Sequence, residues 1–238
     1  MTNLCSKGDP NRYGLLGSAF NRLGTVILLL LCLLAPRAAM AQVTPATSGG
    51  PIKIIVLGDS LSAGYKLPRE AAFTSQLEVA LKAKGYDVTV PNTGVSGETT
   101  SGGLSRLDWV LGDKPDMMIV ELGANDGLRG IDPARTRENL DKILSKLKEK
   151  KVPVLLAGMM APRNLGSEYA KVFDAIYPDL AKKHGVPLYP FFLEGVAMDP
   201  KLNQEDGMHP TAEGVAVIVK NIMPSVMAVL DTMKAGAK

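Results

Sequence analysis

The sequence predicts an α/β protein, a three-layer α/β/α sandwich on a five-stranded parallel sheet. Three observations predict it. Five short apolar runs recur between residues 52 and 191, and segments of helical period separate them. The runs are also apolar throughout, without in–out alternation. Strands lose that alternation when both faces are covered, and parallel strands need a crossover, usually a helix, between them.

Residues 1–41 read as a signal peptide outside that fold. Lys7, Arg12 and Arg22 precede an apolar run from Leu23 to Leu34, too short to span a bilayer comfortably. Ala39-Met40-Ala41 then has the small-x-small form of a signal-peptidase site. Cleavage after Ala41 would leave Gln42 first in a periplasmic or secreted protein with no stable membrane insertion; the competing reading is an uncleaved anchor. A lipoprotein at Cys32 is disfavoured because Leu31 stands where a small residue is needed. Lys7, Arg12, Arg22 and Arg37 against Asp9 carry the whole formal charge of +3. The remainder is near neutral, so no nucleic-acid partner is expected. The only cysteines, Cys5 and Cys32, fall in the same segment, which leaves the rest without a disulfide, a cysteine nucleophile or a thiolate metal site.

Residues 42–51, rich in Pro, Ser, Thr and Gly, read as a flexible leader, and residues 52–238 as one domain with no composition shift. Strands are expected at Ile52–Leu57, Tyr86–Val90, Met117–Leu122, Val152–Ala157 and Pro187–Phe191. Helices are expected at Ala71–Lys84, Leu104–Gly112, Thr136–Lys150, Glu168–His184 and Thr211–Met233. The third shows the pattern well, with Leu140, Ile143, Leu144 and Leu147 on one face and Lys and Glu opposite. Five strands with flanking helices make a flavodoxin-like sandwich.

Chemistry-bearing residues fall after the strands and before the last helix. Gly58-Asp59-Ser60-Leu61-Ser62 puts a serine at the carboxyl end of the first strand, where open α/β sheets form their ligand crevice. Asp206-Gly207-Met208-His209-Pro210 supplies a histidine with a carboxylate three residues before it. The other histidine, His184, lacks such a partner nearby and precedes Gly185, where an imidazole favours a helix end. Serine, histidine and aspartate together make a nucleophile activated by a general base. Two more segments follow strands, Asn92-Thr93-Gly94-Val95-Ser96-Gly97 and Gly123-Ala124-Asn125-Asp126. A lone Gly-Asp-Ser is more often a turn or cap, so the specificity lies in the set. Asp59 is read as structuring its loop, and Asp126 as a helix cap or a support for Asn125. An Asp-x-x-His pair can ligate a metal, but no further histidine or cysteine stands close by, so no metal is expected.

These blocks resemble the SGNH (GDSL-type) hydrolases, whose motifs centre on serine, glycine, asparagine and histidine in that order, here Ser60, Gly94, Asn125 and His209. The resemblance covers the whole domain, including the segments Gly58 to Tyr65 and Glu121 to Gly130. It looks closest to the bacterial periplasmic thioesterase, lysophospholipase and arylesterase group. One departure is Ala124, where a second glycine is expected. The resemblance implies Ser60 as nucleophile, His209 as base and Asp206 as the group that orients it. It also implies an oxyanion hole from the Ser60 and Gly94 backbone N–H groups and the Asn125 side chain. Without a Cβ, Gly94 can bring its N–H close to a ligand.

The resulting expectation is an exported, monomeric serine esterase or thioesterase that needs no cofactor. It would act on small esters, acyl thioesters or lysophospholipids through an acyl-serine intermediate. Met159, Ala161, Pro162 and Leu165, after the fourth strand, are the expected lining of an acyl groove, with the Phe191-Phe192-Leu193 run either beside them or in the core. The rivals are a carbohydrate O-deacetylase using the same triad and a non-catalytic scaffold of the same fold. Only one tryptophan, Trp109, is present, and no aromatic platform for a polysaccharide stands out.

Overall fold

The computed structural model describes residues 50–236. The expected signal peptide, and the leader up to residue 49, lie outside the described residues. The sheet has five parallel strands in the order β2-β1-β3-β4-β5: β1 Ile52–Gly58, β2 Val88–Thr89, β3 Met117–Glu121, β4 Val154–Ala157 and β5 Leu188–Tyr189. Eight α-helices occur among the described residues: α1 Ser60–Ala63, α2 Phe73–Ala83, α3 Thr100–Gly112, α4 Ala124–Leu128, α5 Pro133–Glu149, α6 Ser167–Asp174, α7 Ile176–His184 and α8 Ala212–Gly236. α2 packs with α8, while α3, α5 and α7 pack side by side.

The three central strands carry the core. Ile54–Leu57, Met117–Val120 and Leu155–Ala157 are fully buried, as expected for strands covered on both faces. α5 buries Leu140, Ile143, Leu144 and Leu147, the face its period predicts. Asp132 caps it, accepting from Ala134 N at 2.9 Å, and Pro133 occupies the first turn, where its missing N–H costs nothing. α8 is 25 residues long, enough to cross a membrane, yet Val215, Ile218, Ile222, Val226 and Leu230 turn into the core.

Differences from the expected elements have local causes. β2 and β5 are edge strands of two residues each, because each pairs with one neighbour only and Pro91 and Pro190 follow closely. The helix expected over Glu168–His184 is two helices, broken at Ala175. Pro178 has no N–H to give Asp174, and its ring would strike that carbonyl, so the first helix ends and proline sits in the first turn of the second. α3 starts four residues earlier than its apolar period suggests, because Thr99 caps it through Gly102 N at 3.3 Å. The short helices α1 and α4 were not expected at all.

In this strand order the direction of winding reverses between β1 and β3. An open α/β sheet forms its ligand crevice at that point, beyond the carboxyl ends of the strands. Ser60 follows β1 there, and Asn125 follows β3.

Candidate active site

Asp59 shapes the turn out of β1. It is the N-cap of α1, and its Oδ1 accepts from Leu61 N at 2.9 Å, so Ser60 opens the helix just beyond the carboxyl end of β1. Ser60 N–H has no acceptor among the described residues. Ser62, two residues on, is fully buried and donates its hydroxyl to Asp59 O at 3.2 Å.

The histidine arrives on a tight loop before α8. Asp206 Oδ1 accepts from Met208 N and His209 N, both at 2.9 Å, and Oδ2 lies 2.9 Å from His209 Nδ1. The two backbone donors, His209 first, hold the Asp206 carboxyl down to about 2. It therefore stays ionised at any ordinary working pH and accepts from an Nδ1–H. That tautomer leaves Nε2 as an acceptor, 2.9 Å from Ser60 Oγ. The serine hydroxyl thus donates to the imidazole, in the direction proton removal requires.

Asn125 stands across from them on α4. Its Nδ2 donates to Asp59 Oδ2 and to Glu98 O, each at 3.0 Å. Both amide hydrogens are engaged, so any oxyanion contact from this group would be a shared one. Glu98 is held in turn by Arg106, whose Nε lies 2.7 Å and 2.8 Å from its two oxygens and whose guanidinium also reaches Gly58 O at 3.2 Å. Beneath the nucleophile, Asp59 and Glu121 are both fully buried. Burial pushes the Asp59 carboxyl up to about 6, and burial followed by the neighbouring Asp59 charge pushes Glu121 well above the carboxylate range.

The Asn92–Gly97 loop lies against this turn. Thr93 Oγ1 donates to Val56 O at 2.7 Å, and Val95 N donates to Gly58 O at 3.0 Å. A Cβ on Gly94 would sit 2.6 Å from Ala63 N and 2.8 Å from Asp59 O. Glycine is needed there for the loop to pack on α1; its N–H donates to Asn92 Oδ1 at 3.3 Å, and Gly94 is not among the residues that line the cleft. Gly123 is fixed for a related reason: its φ is 118°, and a side chain would meet the Tyr177 hydroxyl, which donates to Leu122 O at 2.9 Å.

Ser60, Asn125 and His209 open onto a cleft of about 470 Å³. Met159, Ala161 and Pro162 line it as expected, and so do Ala124, Phe191 and Leu193. Phe192 points into the core instead. Leu165 does not line it, because the 3₁₀ turn at Arg163–Leu165 carries it to the surface, and Arg163 borders the cleft in its place. Leu128, Met198 and Met208 also border the cleft and were missed, since each comes from a loop or short helix without an apolar period. Asp126 lies behind the site, buried, accepting from Thr100 N at 2.9 Å and Thr136 Oγ1 at 3.1 Å. It ties α3, α4 and α5 together.

Comparisons with known proteins point the same way. The GDSL-like lipase/acylhydrolase family model matches residues 56–217. An arylesterase of Vibrio mimicus is 46% identical over 169 residues, 71% of this chain and 84% of the relative. The thioesterase 1/protease 1/lysophospholipase L1 of Escherichia coli K12 is 41% identical over 186 residues, 78% and 83% of the two chains. Among solved structures, the SGNH-hydrolase family esterase AlinE4 superposes with a TM-score of 0.65 at 48% identity, covering 77% of this chain and 99% of that one.

Proposed function

The chain belongs to the GDSL-like lipase/acylhydrolase family and is an ester-hydrolysing enzyme, and we propose that it works through Ser60, His209 and Asp206. The observation that carries this reading is the unbroken run of 2.9 Å contacts from Ser60 Oγ through the imidazole to Asp206, at the wall of an apolar cleft. Ser60 Oγ attacks the acyl carbonyl carbon while His209 Nε2 takes its proton. The carbonyl oxygen becomes an oxyanion that the Ser60 and Gly94 backbone N–H groups and Asn125 Nδ2 stabilise. Collapse breaks the bond to the leaving group, which receives the proton from the imidazolium, and an acyl-serine remains. Water, deprotonated by the same imidazole, then releases the carboxylic acid. Asp206 stays a carboxylate throughout and stabilises the imidazolium.

The substrates proposed are single-acyl esters, thioesters or lysophospholipids, with the chain against Met159, Ala161, Pro162 and Leu193. Leu61, Leu128, Met159, Phe191, Leu193 and Met198 make the cleft wall largely apolar, which favours an acyl chain over the acetylated sugar of an O-deacetylase. A p-nitrophenyl ester series from acetyl to palmitoyl tests this. The expected result is turnover of several members, with kcat/KM higher for butyryl or longer chains than for acetyl. A preference for acetyl alone, with acetylated oligosaccharides as better substrates, would favour the deacetylase.

We further propose that the enzyme is exported, cut after Ala41, and acts as a monomer, since the site draws on one chain only. Protein recovered from the periplasm of a Gram-negative host should begin at Gln42. An intact amino terminus on membrane-bound protein would support the anchor.

A further inference from the structure

His209 has a second neighbour that the triad does not account for. The Tyr65 ring lies against the imidazole, with centroids 4.4 Å apart and planes at 36°. Tyr65 follows α1, and its N–H donates to Ser60 O at 3.2 Å, so it belongs to the nucleophile's own turn. Gln204 fixes this turn to the histidine loop. Its Nε2 donates to Tyr65 O and to Pro210 O, both at 2.9 Å, and its backbone N–H donates to His209 O at 2.7 Å. Tyr65 is 37% exposed and is not among the residues that line the cleft.

We infer that Tyr65 is a positioning residue for the reaction: its ring, on a backbone that Gln204 ties to the histidine loop, keeps the His209 imidazole on Ser60 and stabilises the imidazolium formed when the serine loses its proton. The inference rests on the proposed triad. An aromatic face attracts a cation lying over it. The imidazole is neutral in the ground state and charged at the tetrahedral stage, so the ring favours the transition state over the resting enzyme. Asp206 on its own loop and Ser60 and Asp59 on the α1 turn face or charge the imidazole, while Lys66 Nζ lies 5.2 Å from the Tyr65 ring centroid, a cation already beside that ring. The phenolic hydroxyl has no part in this. The effect belongs to the ring.

Tyr65→Leu and Tyr65→Phe, made in the full chain and assayed with p-nitrophenyl butyrate across pH, test the inference. Tyr65→Leu should lower kcat by about threefold to thirtyfold with KM within about twofold. The acid limb of its kcat/KM profile should move to lower pH, because the imidazolium has lost a stabilising partner. Tyr65→Phe should recover most of kcat and restore the acid limb. Gln204→Ala keeps the ring but removes the tie between the Tyr65 backbone and the histidine loop, and should lower kcat without altering the cleft. Wild-type kcat and an unmoved acid limb in Tyr65→Leu would overturn the inference. So would a Phe variant as impaired as Leu, which would assign the effect to the hydroxyl, or a loss wholly in KM, which would make Tyr65 a binding wall. Failure of the triad reading looks different, because His209→Ala would then remain active.

Discussion

Ser60→Ala is expected to lower ester turnover by about 10⁴-fold or more, leaving only what binding and oxyanion stabilisation supply. Without Oγ no acyl-enzyme forms, and His209 has no proton to take. The fold should not change, because the Ser60 hydroxyl makes one hydrogen bond, to His209 Nε2, and the Leu61 N–H to Asp59 bond that shapes α1 is independent of it. Circular dichroism and the thermal midpoint should match wild type, which separates loss of chemistry from loss of structure. Wild-type turnover of p-nitrophenyl butyrate by the purified variant would contradict the nucleophile assignment.

The two histidines should behave oppositely. His209→Ala is expected to cost about 10³-fold or more, as for removal of one member of a group that acts as a unit. His184 closes α7, and its Nε2 lies 2.6 Å from Asp141 Oδ1, while Lys183 Nζ pairs with Asp141 Oδ2 at 2.7 Å. It is far from the cleft lining, so His184→Ala should leave kcat/KM within about twofold while lowering the thermal midpoint by a few degrees. Asp206→Ala should fall between them, since it orients the base without carrying the transferred proton. The sign of the pH dependence follows from the same site. A carboxyl held down to about 2 supports the imidazole at every pH above that value and is lost only below it. Asp206 therefore adds no step of its own to the pH profile of turnover above about 2. Equal losses in the two histidine variants would remove the distinction.

Much of this was legible in the chain, for reasons that are themselves structural. β1, β3 and β4 are apolar because both faces are covered, and that leaves an unbroken run in the sequence. β2 and β5 were drawn too long because apolar residues continue past the point where an edge strand stops pairing. α1 and α4 are four and five residues long, each with a single leucine among Ser, Gly, Ala, Asn and Asp, too short to show a period. The break at Ala175 was signalled by Pro178, but the apolar period runs through it and masked the signal. In the site, the grouping of Ser60, Asp206 and His209 could be anticipated because the roles proposed for them demand particular residue types at particular places along the chain. The engagement of Asn125 with Asp59 and Glu98 could not, since it joins residues 66 and 27 positions apart. The Tyr65–His209 contact and its Gln204 clamp escaped for the same reason, as 139 residues separate Gln204 from Tyr65. The short spacing of Asp206 and His209 made their pairing visible, whereas contacts formed only by folding left no trace in local pattern.

The most direct measurement is covalent labelling with a fluorophosphonate, which reports an activated serine without requiring the natural substrate. Peptide mass spectrometry should find one adduct, on Ser60, at a rate that falls sharply in His209→Ala and to nothing in Ser60→Ala. The neighbouring Ser62, fully buried and committed to Asp59 O, should stay unmodified. An adduct on another residue, or undiminished labelling of Ser60→Ala, would contradict the assignment of Ser60 as the nucleophile.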